Sequence, residues 1–179
     1  MISINLVKTT NYDDARLTIL KSALALIPPV LNSQNFKDAV INYTTNGQLT
    51  FSFKKNLFKD FEHYTNQQVY DMIMQAQEDP GNVADGSIDL YLELLPGGGG
   101  STIGYGNPGE ETIYTYQDWF DQAKPDEIVN HITHEWCHKI GFDHAAYPWQ
   151  DRFRENSVPY GVGDLVEGFC GLPNLTPLP

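Results

Sequence analysis

The segment HEWCHKIGFDH, residues 134–144, places His134, His138 and His144 at fixed spacing, with Glu135 beside the first. On a helix, residues four apart share one face, so the His134 and His138 rings should project about one turn apart and hold one small ion. Gly141 allows the left-handed backbone that ends a helix, after which His144 can return as a third ligand. Three nitrogen ligands leave one tetrahedral position open. Structural zinc sites are closed by four ligands, so this set predicts a catalytic ion. Imidazoles in tetrahedral array suit Zn2+ first, with cobalt or nickel able to take the same place. Glu135 can reach a water on the ion without binding the ion. The expected chemistry is metal-assisted amide hydrolysis, in which Glu135 takes the proton of the attacking water and passes it to the leaving amine.

Those side chains need a helix over residues 125–140. Pro125, Asp126 and Glu127 have the composition of its start, Gly141 marks its stop, and Ile128, Val129, Ile132, Cys137 and Ile140 supply its apolar side. Upstream, SINLV reads as a first strand, and NYDDARLTILKSALALI reads as a helix capped at Asn11 or Asp13 and ended by Pro28 and Pro29. DAVINY and LTFSF read as strands around a turn at Asn46-Gly47, and TNQQVYDMIMQAQ as a helix capped by Thr65 with Met72 and Met74 in the core. SIDLYLELL reads as a strand, PGGGG as a loop at the cleft rim, and STIGYG and ETIYTYQDWF as extended segments. The last 35 residues read as irregular apart from a short helix near DLVEGF. Strands mixed with helices imply an α/β layer sandwich, and no linker or repeat splits the chain, so residues 1–179 are expected to form a single domain.

HEWCHKIGFDH resembles the HExxHxxGxxH signature of the metzincin clan of zinc endopeptidases. The resemblance implies zinc on His134, His138 and His144, with Glu135 as general base. It implies an α/β (α+β) fold: a twisted, mixed and mostly parallel sheet with two or three helices, residues 1–144 carrying the zinc helix, and a small irregular C-terminal subdomain over 145–179. It also implies an edge strand that pairs with extended substrate, for which STIGYG (101–106) is the candidate. The chain departs from the clan in one respect: metzincins place a methionine in a tight turn below the zinc, whereas the methionines here are Met1, Met72 and Met74. SVPYG (157–161) stands at the expected distance, with Val158 or Pro159 filling the turn and Tyr160 either lining the pocket, binding the metal and then the oxyanion, or packing within the turn. Ala145, after the third histidine, matches none of the large subfamilies.

Other readings are weaker. Glu155 or Glu167 as third ligand would need a second helix in a region broken by Pro159, Gly161 and Gly163. GYGNPG (104–109) fits GxGxxG but contains Pro108 and leads into a strand, against a phosphate loop. His131 reads as a supporting or surface residue, and Cys137 as core, with a Cys137–Cys170 bridge left open. Tyr105, Trp136, Tyr147, Trp149 and Tyr160 are candidates for apolar subsites, Trp136 equally for buried scaffold.

The net charge of −12 comes without a basic block, so neither nucleic acid nor an anionic membrane surface is an expected partner. The expected partner is a peptide or protein substrate. No run is long and apolar enough for a membrane span, and LTILKSALALIPPVL follows Asp13 and Asp14, is broken by Lys21, and lacks a cleavage site. Either the protein is intracellular or a leader has been removed. The alternative to an enzyme is a structural or binding module of a larger assembly with zinc as a stabilising ion, against which Glu135 argues, since a structural zinc needs no base.

Overall fold

The computed structural model describes residues 1–44, 51, 54–56, 59–62, 64–78, 83–107, 109–144 and 157–179. In chain order these give β1 (Ser3–Thr10), α1 (Asp14–Leu24), α2 (Ile27–Leu31), α3 (Gln34–Ile41), β2 (Lys54–Asn56), β3 (Lys59–Glu62), α4 (Asn66–Gln75), β4 (Ser87–Leu95), β5 (Gly104–Gly106), β6 (Thr112–Tyr116), α5 (Gln117–Phe120), α6 (Pro125–Lys139) and α7 (Val158–Phe169). The architecture is mixed α/β. The four-stranded sheet has the order β1-β4-β6-β5, in which β1, β4 and β6 are parallel and β5 returns antiparallel to β6. A separate antiparallel pair joins β2 and β3.

β4 alternates strictly: Ile88, Leu90, Leu92 and Leu94 are buried while Ser87, Asp89, Tyr91 and Glu93 are half-buried on the other face. This period of two is what a sheet covered on one side requires. The covered face joins one continuous core with Leu20 and Leu24 of α1, Val69 and Ile73 of α4, Ile132 and Trp136 of α6, and Val162 and Val166 of α7. Each such side chain, fully removed from water, contributes about 1.5–3 kcal/mol of transfer free energy. α6 lies centrally, packed against α7, α1 and the β5 strand.

Local chemistry sets the helix ends. The Asp13 side chain accepts from the Arg16 N–H at the start of α1, and Thr65 with Gln68 forms the expected capping box of α4. Among the described residues no helix is long and apolar enough to cross a membrane.

Several expectations need correction. The helices outnumber the two or three expected. Pro28 and Pro29 do not merely end α1; they fall in the first turn of α2, where a missing N–H costs nothing. The stretch 38–41 of DAVINY is helical, because Ser33 caps α3 and buries Phe36 and Val40 four apart. ETIYTYQDWF is a strand only to Tyr116, after which it turns into α5. SVPYG is not a tight turn: Ser157 is the N-cap of α7, and Val158, Pro159 and Tyr160 lie in its first turn. The Asn46-Gly47 turn and most of LTFSF lie outside the described residues. Cys137 and Cys170 are both free thiols.

Candidate metal centre

α6 begins with Pro125 in its first turn, and the Glu127 carboxylate accepts from the Lys124 N–H at 2.7 Å. It ends at Gly141, whose φ of 96° reverses the chain. The Phe142 N–H donates to the Cys137 carbonyl at 3.0 Å and the Gly141 N–H to the His138 carbonyl at 3.1 Å, the paired closure of a Schellman stop. Phe142 is buried behind this turn, which brings the following residues back toward the helix.

The reversal has a direct chemical consequence. His138 Nδ1–H donates to the Phe142 carbonyl at 2.8 Å, since a carbonyl only accepts. The proton is therefore on Nδ1, and Nε2 keeps its lone pair. His134 Nε2 and His144 Nε2 lie 2.9 Å apart, and ring centroids are 5.3 Å apart for His134 and His138 and 4.7 Å apart for His138 and His144. One nitrogen from each residue lies within 4.8 Å of the others. Zn–N distances of about 2.0–2.1 Å in tetrahedral array imply nitrogens about 3.3 Å apart, a spacing that falls between the 2.9 Å of the His134–His144 pair and the 4.8 Å that bounds the whole group. The three-histidine group can hold a metal ion. His134 and His138 are buried and His144 is half-buried, so the ligands are largely shielded yet one side stays open.

That side is a cleft of about 780 Å³, bounded by residues 101–106 on one wall and by Asp143, His144 and Tyr160 on the other, with His134, Glu135 and His138 along its floor. Tyr160 enters from α7, its ring centroid 4.5 Å from that of His134 and 4.9 Å from that of His144. The Asp143 carboxylate accepts from the His144 N–H at 2.8 Å.

Glu135 is 7% exposed. Burial pushes its carboxyl up to about 7, against the opposing pull of the Gly106 N–H, which donates to it, and of the Lys139 ammonium. Burial likewise lowers His138 from its ordinary value and favours the neutral, ligating form.

β5 approaches α6 closely. A Cβ on Gly104 would stand 2.5 Å from His131 Cε1, and one on Gly106 would stand 3.3 Å from the Glu135 carbonyl oxygen. Both glycines face the helix, so Tyr105 between them points to the opposite face, where it stacks on Tyr114 with centroids 4.8 Å apart. Tyr105 is among the residues that line the cleft.

Trp136 is scaffold: it is buried, and its Nε1–H donates to Glu78 Oε1 at 2.9 Å. Glu167 accepts from Asn130 Nδ2 and is not part of the triad. Tyr147, Trp149 and Glu155 lie outside the described residues. Gly104, Gly106, Asp143 and the Phe142 carbonyl were not anticipated. Only the glycines carried a sequence signal, their alternation with Tyr105. No protein-family model, no curated protein and no solved structure matches this chain.

Proposed function

We propose that the chain is a zinc-dependent endopeptidase, consistent with the metzincin-like motif. The observation that carries this reading is the three-histidine group at the floor of an open cleft, with Glu135 beside it and an edge strand forming one wall. His134, His138 and His144 would hold the ion. When bound, it would supply Lewis acidity, polarising a substrate carbonyl and making a nearby water more acidic.

The remaining roles belong to the chain. β5, the outermost strand of the sheet among the described residues, would take an extended peptide as a further strand and present a scissile bond above the floor. Glu135 takes a proton from the attacking water and delivers it to the departing nitrogen. Tyr160, whose ring centroid is 4.5 Å from that of His134, would donate its hydroxyl to the oxygen that gains charge. The Gly106 N–H holds the Glu135 carboxylate against β5.

Chelation tests the reading. Peptide hydrolysis by the purified protein should vanish with a strong chelator and return with added Zn2+, and His138→Ala should lose both zinc and hydrolysis. Hydrolysis that survives complete metal removal would overturn it.

A further inference from the structure

The face of the sheet turned away from α6 carries a carboxylate set among tyrosines. Glu93 lies in the inner strand β4, whose Ile88, Leu90, Leu92 and Leu94 point into the core, so Glu93 projects from the opposite face, where it is half-buried. Strand register places Thr10 of β1 on one side of it and Tyr114 of β6 on the other, with Tyr105 of β5 beyond Tyr114. Tyr91 lies two residues before Glu93 on β4 and therefore on the same face. Neighbouring strands are about 4.8 Å apart and alternate residues of one strand about 7 Å, so a side chain seated on Glu93 is within reach of both the Tyr114 and Tyr91 rings.

Tyr91, Tyr105 and Tyr114 are half-buried as well, so each keeps part of its surface in water. Among the described residues Glu93 makes no hydrogen bond and no ion pair; the ion pairs there belong to Arg16 and His131. Lys8, in register with Tyr91, is exposed and does not pair with it. A carboxylate set among rings loses part of its hydration, and without a cation nothing offsets that loss. A cation here is attracted by the carboxylate and also by the negative faces of the rings. A lysine ammonium would meet Glu93 as a point charge. A guanidinium is flat, so it can lie on a ring face and donate two parallel N–H bonds to one carboxylate. Rings beside a carboxylate therefore fit arginine.

We propose that this face is a docking site for an arginine side chain of another polypeptide, its guanidinium paired with the Glu93 carboxylate and lying against the Tyr114 and Tyr91 rings. Tyr105, stacked on Tyr114 with centroids 4.8 Å apart, holds the Tyr114 ring from the far side. Charge complementarity selects this occupant. The chain carries a net charge of −12, so a basic segment is drawn toward it before any contact forms. Glu93 then gives that segment a specific place to bind. Two strand spacings, about 10 Å, separate β4 from β5, so the site is distinct from the metal centre and does not rest on the reading of that centre.

The test is a titration of protein labelled with 13C in its tyrosine rings. The probes are the peptide acetyl-Gly-Arg-Gly-amide and its citrulline counterpart, which keeps the shape of arginine and lacks the charge. The arginine peptide should move the Tyr91 and Tyr114 ring resonances saturably, and the citrulline peptide should bind about tenfold more weakly or worse. Glu93→Gln, nearly equal in size to the native side chain, should weaken the arginine peptide by about tenfold. Tyr114→Leu should weaken it by about threefold. Asp14→Asn removes the same unit of charge from the exposed start of α1 and should leave binding unchanged, which separates a built site from diffuse attraction. Should Tyr114→Leu fail to fold, the comparison of Glu93→Gln with Asp14→Asn decides alone. Equal affinity for the two peptides, equal losses in Glu93→Gln and Asp14→Asn, or tyrosine resonances that the arginine peptide leaves unmoved would overturn the proposal. Resonance shifts confined to the metal cleft would place the peptide there and overturn it too.

Discussion

Gly104→Ala probes the contact on which the cleft depends. A Cβ added at Gly104 would stand 2.2 Å from the Tyr114 carbonyl oxygen, 2.5 Å from His131 Cε1 and 2.6 Å from His131 Nε2, where ordinary contact is 3.4–4 Å. Clearing that carbonyl requires a displacement of about 1 Å. No side-chain rotation can supply it, because Tyr114 is in β6 and pairs with β5 through Tyr105. Overpacking of this kind costs about 1–3 kcal/mol, and a backbone obstacle puts this case near the upper end. For a chain of this size that is roughly a 6–12 °C fall in Tm at about 3 kcal/mol. Gly168→Ala is the control: its Cβ would meet nothing within 4 Å, and alanine in a helix should stabilise by about 0.5 kcal/mol. Urea denaturation of wild type and both variants measures the difference, and amide exchange in β5 and β6 reports whether the edge has lifted. A Gly104→Ala protein within about 0.5 kcal/mol of wild type, with exchange unchanged, would refute the close approach of β5 to α6.

Three further outcomes follow from particular groups. Burial holds His131 down to about 4 from an ordinary 6.5. The unfolded chain therefore binds that proton first, and its share of stability is whole above pH 6.5 and is lost progressively as pH falls from 6.5 to about 4. Against His131→Asn, wild type should lose about 2–3 kcal/mol of relative stability between pH 7 and pH 4.5, read by denaturation at each pH. Trp136→Phe removes a donor to the buried Glu78 carboxylate, which also accepts from the Asp89 N–H at 3.1 Å, and should cost about 1–3 kcal/mol of unfolding free energy. Denatured, unreduced protein should titrate two thiols, and native protein should react slowly, since burial raises Cys137 strongly and pushes Cys170 up to about 11.

The metal group was legible because its residues are nearly contiguous and a helix period followed by a glycine stop converts their spacing directly into geometry. β4 was legible for a similar reason: its alternation is strict. α7 was not. Its Val158, Val162 and Val166 recur every four residues, but Gly161, Gly163 and Gly168 lower helix propensity and masked the pattern. Two of those glycines serve close packing. A Cβ on Gly163 would lie 2.6 Å from Asn130 Oδ1, and one on Gly161 would lie 2.5 Å from Phe51 Cε1. Tertiary approach, invisible in a local window, overrode propensity. α3 was misread because its signal, Phe36 and Val40 behind the Ser33 cap, begins upstream of the Ala-Val-Ile run that suggested a strand. The link from Thr115 through His131 to Glu135 joins β6 to α6, and sequence spacing carries no trace of it.

The central claim, that Glu135 works on a metal held by His134, His138 and His144, is tested most directly by one paired measurement. Zinc is quantified by elemental analysis in wild type and Glu135→Ala, and both are assayed on a mixed peptide library. The account predicts one zinc per chain in each protein, with cleavage by wild type that Glu135→Ala abolishes. Bound zinc without any cleavage, or cleavage that Glu135→Ala leaves intact, would contradict it.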